Sequence, residues 1–329
     1  MKDKVKKILE NKSKTVPILS FPSAQLMGIT VKELISSSHM QKEGMKKIAE
    51  RCNVGASLNM MDLSVEAEAF GAEIVFKDDE IPTVAGGVIA DISDAESIKV
   101  PSVNDKRCRI YIDGVKHAKE EIKHIPVFCG VIGPYSLAGR LFDMTELMME
   151  CYDSPDEVKI LLEKATCFII KYIKAFKAAG ADGVIMAEPA AGLLSPALND
   201  EFSLPYVKRI MDEVNSEDFV FCYHNCGDNV VHMADSLASL NCDIYHFGNA
   251  VKLSQLIPAM PKDSIVMGNV DPVLFKMGDV ASIKECVQRI YDECKGFDNF
   301  MLSSGCDIPS QAKWENIDAY FEKVNEIYV

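Results

Sequence analysis

His224 and Cys226 stand two residues apart at the end of an apolar run, FVFCYHNCGDN (219–229). A strand that carries an imidazole and a thiol into a glycine turn offers a metal two ligands at once. That pair suits zinc better than magnesium or calcium, which prefer oxygen. A site needs a third ligand. Cys306, at the end of a second apolar run, NFMLSSGC (299–306), is of the right type. Two cysteines and one histidine make a catalytic zinc set, with the fourth position left for water, a labile carboxylate or substrate. Two turn thiols and a hydrogen-bonded core histidine would read the same way.

These residues act together only if the chain brings the ends of their strands to one face. Eight apolar runs recur: VPILSFP (16–22), LNMMD (58–62), PVFCGVIGP (126–134), GVIMAEP (183–189), FVFCYH (219–224), DIYHFG (243–248), SIVMGNVDP (264–272) and NFMLSSGC (299–306). Helical stretches separate them, at about 104–124, 155–179, 199–214, 229–240, 252–260 and 279–295, and a last helix ends the chain. Pro155 suits a first helical turn and Gly180 a helix end. Residues 2–11 and 39–52 read as amphipathic helices, and 74–87 as short strands in an excursion from the main fold. Near-continuous apolar strands imply a parallel sheet covered on both faces. Eight such units predict a (β/α)8 TIM barrel with an N-terminal helical extension. No GxGxxG follows a strand, which removes the usual reason for an open doubly wound sheet. The expected organisation is one domain over 1–329, with N-terminal helices and the first strand in about 1–55.

In such barrels the active site is built at the C-terminal ends of the strands. The polar residues found there are Asp62, Glu188, His224, Cys226, His246, Asn269, Asp271 and Cys306. Glu188 could fill the fourth metal position, or could instead bond a nearby amide. Asp62 could hold a zinc-bound histidine or face a cofactor, or could cap the helix that follows. His246 is a candidate cofactor or substrate contact. Asn269 and Asp271, with Asn225 and Asn229, would line the mouth.

Bulk properties narrow the partners. The 329 residues are 48% hydrophobic and 26% charged, as in a soluble globular protein. A net charge of −14 argues against nucleic acid or an anionic membrane. The basic start, MKDKVKKILENKSK, lacks a following apolar segment and reads as a first helix, not as a signal peptide. Eleven cysteines without a CxxC pair fit reduced thiols in a cytoplasmic protein.

HNCGDN and SSGCDIP together resemble the His-x-Cys…Cys signature of the methylcobamide:coenzyme M methyltransferases, in the uroporphyrinogen decarboxylase superfamily. DLSVEAEAFGAEI (62–74), VIGPYSLAGRL (131–141), AGADGVIMAEPAAGLLSP (179–196) and MGNVDP (267–272) also resemble family segments, so the likeness spans nearly the whole chain. It implies a zinc ion on His224, Cys226 and Cys306. It further implies a methylcobamide (cobalamin-type) methyl donor, free or on a small corrinoid protein, and a thiol acceptor such as coenzyme M. Tetrahydrofolate is the alternative acceptor, and a monomer or homodimer the implied assembly. The superfamily's decarboxylases carry an arginine segment near the N-terminus that binds substrate carboxylates. The corresponding stretch, ILSFPSAQLMG (18–28), has no arginine, which disfavours a polyanionic porphyrinogen. A non-catalytic corrinoid- or tetrapyrrole-binding barrel with a structural metal is the third reading.

Overall fold

A computed structural model describes residues 1–328. Its strands are β1 (Ser57–Leu58), β2 (Ile74–Val75), β3 (Thr83–Val84), β4 (Val127–Ile132), β5 (Gly183–Ala187), β6 (Val220–Asn225), β7 (Ile244–Phe247), β8 (Ile265–Val270) and β9 (Phe300–Ser304). Seven of them form one parallel sheet in the order β1-β4-β5-β6-β7-β8-β9, each strand beside its successor. β2 and β3 make a separate antiparallel hairpin, the excursion expected at 74–87.

The apolar runs become strands because both of their faces are covered. Every residue of β5, β6, β7, β8 and β9 is buried. One set of side chains packs outwards against the helices, among them Val184, Phe221 and Tyr245. The alternate set points inwards: Leu58, Phe128, Ile185, Cys222, Ile244, Met267 and Met301 lie in one cluster. All seven strands contribute to that interior, so the sheet is curled around it.

The curl does not close as an eight-stranded barrel, and the expectation of a strand at 16–22 is corrected. That run lies along β9 without forming a ladder. Ser303 Oγ donates to Val16 O at 2.8 Å, and Ile18 N donates to Ser304 Oγ at 3.0 Å. On its other side Gly55 N donates to Thr15 O at 2.8 Å. Pro17 has no N–H to give a ladder, and serine hydroxyls take over the pairing. Val16 and Ile18 still fill the interior.

The helix Asp3–Glu10 stops the N-terminal end of the curled sheet. It places Val5 and Ile8 in the interior cluster, while Lys2 and Lys4 pair with Asp243 and Asp182 at 2.8 Å each. Elsewhere helices fall near their expected spans, the longest at Pro155–Ala178, with Gly180 in the left-handed region at φ +100°. The helix expected at 199–214 is two, Pro196–Phe202 and Leu204–Val214; Ser203 and Pro205 interrupt it. Among the described residues no helix is long and apolar enough to cross a membrane.

Candidate metal centre

His224 is the fifth residue of β6, and Cys226 follows the strand directly. The turn that carries Cys226 is held by Asn225, which sits between them. Its Nδ2 donates to Glu188 O at 3.0 Å, and its Oδ1 accepts from Gly227 N at 2.9 Å. The turn also needs two glycines. A Cβ on Gly227 would lie 2.6 Å from Gly192 Cα, and a Cβ on Gly248 would lie 2.6 Å from Cys226 Cβ. Cys306 arrives after β9, where Gly305 N donates to Val270 O at 2.6 Å.

These two routes converge. One ligand atom each of His224, Cys226 and Cys306 lies within 4.8 Å of the others. Cys306 Sγ is 3.5 Å from His224 Nε2. His224 is buried and both cysteines are half-buried, so the cluster sits under the surface with a way out. Cys226 is held well below the ordinary thiol range, first by the Cys306 thiol that donates to it and then by His224, against the cost of burial. Cys306 is correspondingly pushed up, by that same hydrogen bond and by burial.

The hydrogen bonds behind His224 fix its tautomer. Ser303 Oγ donates its proton to Val16 O, so towards His246 it accepts. His246 Nε2, 3.0 Å away, is therefore the protonated nitrogen of that ring. His246 is 0% exposed, and burial first and then His224 hold its pKa well below the usual value. It is neutral, and its Nδ1 carries a lone pair. His224 Nδ1, at 2.6 Å, donates to that lone pair and also faces His246 O at 3.2 Å. His224 Nε2 faces the two sulfurs, 3.5 Å from Cys306 Sγ, and is the ring nitrogen left to bind a metal. A nitrogen lone pair, an easily ionised thiol pair and a second-sphere chain that orients the imidazole are what a zinc ion requires of its ligands. The donor set fits the metal.

The other candidates have hydrogen-bond partners of their own, and His246 is enclosed behind His224 instead of being open to a cofactor. Strand register explains this, because His224 and His246 are direct neighbours across β6 and β7. Glu188 is 0% exposed and does not join the ligand group. Its Oε1 accepts from Ser136 N at 2.9 Å, in the first turn of the helix Pro134–Leu141. Burial pushes its pKa up to about 8. Asp62 bonds no histidine. It is ion-paired with Arg107, accepts from Tyr111 Oη at 2.8 Å, and accepts from Ser64 N at 3.0 Å. Asn269 Nδ2 donates to Gly248 O at 2.9 Å and Val251 O at 2.8 Å, so it holds a loop. Asp271 Oδ1 accepts from Val273 N at 2.9 Å and caps the helix Pro272–Met277. Asn229 Nδ2 is likewise engaged, with Leu194 O at 2.5 Å.

Sequence reasoning missed Ser303 and Arg140. Ser303 was visible only as one of two serines before the glycine turn. Arg140 lines a cavity of about 580 Å³ that Cys226, Gly227, Ser136 and Pro189 also line. Its signal was a lone arginine in the small, apolar helix PYSLAGRL.

Comparison with known proteins agrees with this architecture. A solved methyltransferase from Methanosarcina mazei superposes with a TM-score of 0.86 over 99% of each chain, at 23% identity. The methylcobamide:CoM methyltransferase of Methanosarcina acetivorans is 26% identical over 301 residues, covering 87% of this chain and 85% of that protein. A uroporphyrinogen decarboxylase of Vesicomyosocius okutanii subsp. Calyptogena okutanii is 25% identical over 281 residues, covering 82% of this chain and 78% of its own. The family model described as uroporphyrinogen decarboxylase (URO-D) matches residues 17–327. Seven parallel strands curled around one interior, with their C-terminal ends gathered at a single mouth, thus belong to a chain of the uroporphyrinogen decarboxylase (URO-D) family.

Proposed function

We propose that this chain transfers a methyl group from a methylated corrinoid, carried by a partner protein, to a small thiol, with His224, Cys226 and Cys306 holding a zinc ion. The observation that carries the reading is the convergence of those three ligand atoms within 4.8 Å at the mouth of the sheet. Bound there, zinc would supply the positive charge that keeps an acceptor thiol deprotonated near neutral pH, where a free thiol, with a pKa of about 8.5, is mostly protonated.

The chain's own residues do the rest. Ser303 and His246 keep the His224 proton on Nδ1 and its lone pair on Nε2. Asn225 and the close packing at Gly192, Gly227 and Gly248 hold Cys226 in its turn at the edge of the cavity. The cavity's mostly apolar lining would reduce the water around an acceptor sulfur held beside Cys226. In the transfer, the sulfur forms a bond to the methyl carbon as the carbon–cobalt bond breaks. The electron pair of that bond stays on cobalt. The names of relatives such as the Methanosarcina acetivorans protein support this reading.

Decarboxylation of a porphyrinogen is the competing activity, since decarboxylases also resemble the chain. Residues 18–28 lack any arginine to bind such a substrate's carboxylates, and methyl transfer is favoured. The test combines metal analysis and turnover. We expect about one zinc per chain, lost in Cys226→Ala and Cys306→Ala, and methyl transfer from methylcobalamin to a thiol. Zinc-replete expression that yields zinc-free protein, or transfer that survives both substitutions, would sink the reading.

A further inference from the structure

The basic start of the chain meets a second basic segment at the N-terminal end of the sheet. Lys4 and Lys7 on the helix Asp3–Glu10, and Lys14 just beyond it, line a cavity of about 390 Å³. Lys119, in the last turn of the helix Cys108–Glu121, lines it from another side, with Lys123 and His124 in the loop that follows. Pro126 and Asp182, the residues directly before β4 and β5, also belong to its wall. The cavity therefore lies at the opposite end of the strands from His224, Cys226 and Cys306.

Five lysines here surround one carboxylate, in a chain whose 49 acidic residues outnumber its 35 lysines and arginines. That carboxylate is already engaged. Asp182 pairs with Lys4 at 2.8 Å and with Lys119, and it accepts from Val127 N at 2.9 Å. Lys7, Lys14 and Lys123 have no ion pair among the described residues. Lys123 Nζ donates only to Lys119 O, at 2.7 Å. Lys2 and Lys4 already tie the first helix to the sheet, so anchoring does not account for the other charges. Like charges gathered in this way repel one another, and a bound anion would relieve them.

We propose that this cavity binds a small polyphosphate, a ligand with two or more linked phosphoryl groups. The cations are ammonium groups on flexible stems, set on several segments of the chain, and they can meet phosphoryl oxygens at several points. No arginine lines the cavity to offer the planar fork that suits a lone carboxylate. The volume is that of a small-molecule site, and the net charge of −14 disfavours a nucleic acid as the source of the phosphates. Ile8, Ile125 and Pro126 add an apolar wall beside the lysines, with room for the body of a nucleoside. Inorganic and nucleoside polyphosphates share the linked phosphoryl groups, and the experiment separates them. Either would bridge the helix Asp3–Glu10 to the segment before β4, and so raise the unfolding temperature.

Pyrophosphate, ADP and sulfate are titrated separately into the full chain by calorimetry at constant ionic strength. Saturable pyrophosphate binding is expected, one per chain, with sulfate much weaker. In the double variant Lys7→Gln/Lys123→Gln it should weaken about tenfold, as the loss of charge-assisted hydrogen bonds does. It should be unchanged in Lys276→Gln, on the helix Pro272–Met277 at the other end of the sheet. It should also persist in Cys226→Ala, which separates this cavity from chelation at the metal centre. Pyrophosphate should raise the unfolding temperature of the wild type and much less that of the double variant, whose unfolding without ligand shows that it is folded. ADP that binds more tightly than pyrophosphate assigns a nucleoside ligand; equal or weaker binding assigns the inorganic anion. Pyrophosphate binding that is absent, matched by sulfate, indifferent to the double substitution, or lost in Cys226→Ala overturns the proposal.

Discussion

At the scale of single residues, His224 and His246 differ through the partners of their ring nitrogens. Ser303 commits its proton to Val16 O, His246 commits its own to Ser303, and His224 is left able to donate on one side and coordinate on the other. A second-sphere chain of this kind is typically worth 10–100-fold in metal affinity. His246→Phe keeps most of the ring volume but removes both nitrogens. We expect it to weaken zinc binding by about that factor, measured by competition with a chromogenic chelator, and Ser303→Ala to weaken it less. Unchanged zinc affinity in a folded His246→Phe protein would refute the positioning role. Residue types made the ligand set legible in the sequence, since few chemistries use a His-x-Cys pair at a strand end. The role of His246 was not legible. It depends on which residue lies beside it across two strands, and register is set by the packing of the whole sheet. Arg140 was hidden for a related reason: its place on the cavity wall with Cys226 appears only once the chain is folded.

At the scale of elements, the strands were readable because they are buried on both faces, and the seam was not. VPILSFP has the composition of a strand, yet Pro17 removes a donor and hydroxyl groups from β9 stitch the run in place. The short helix Val65–Ala69 carries a similar hidden constraint. Glu66 is buried on it, with Oε1 bonded to Ile132 N at the end of β4 and Oε2 without a partner. Burial pushes its pKa from 4.5 up to about 7. The folded state therefore holds a proton that the unfolded state releases above pH 4.5. Between about 4.5 and 7 the native chain binds more protons, so this group's contribution to stability falls as pH rises and levels off above the folded value. The slope is at most about 1.4 kcal/mol per pH unit, the limit for a difference of one bound proton between the two states. Glu66→Gln keeps the acceptor for Ile132 N and cannot ionise. Urea unfolding from pH 5 to 7.5 should show a shallower decline for the variant than for the wild type. Parallel curves would mean that Glu66 is ionised in the fold.

At the scale of the molecule, the two ends of the curled sheet are specialised in opposite ways. The C-terminal end gathers the candidate metal ligands, the cavity and Arg140. The N-terminal end is stopped by the helix Asp3–Glu10, whose Val5 and Ile8 join the interior cluster, while Lys2 and Lys4 at its start pair with Asp243 and Asp182. The alternation of apolar runs and helices announced a parallel β/α architecture from sequence alone. It could not announce this stopper, because a basic amphipathic first helix looks the same whether it lies on the surface or plugs a core. The division of labour makes a separable prediction. Ile8→Ala removes buried methyl groups from a tightly enclosed place and should destabilise the fold by about 2–5 kcal/mol, as such truncations do. The loss should appear as a lower urea midpoint with little change in slope. The candidate metal ligands lie at the other end, at the C-terminal ends of β6 and β9, and their hydrogen bonds do not pass through the helix. Zinc stoichiometry measured well below the unfolding transition should therefore match the wild type. An Ile8→Ala protein as stable as wild type would show that the helix only rests on the sheet. One that is folded yet loses zinc would show that the two ends are coupled through the shared interior.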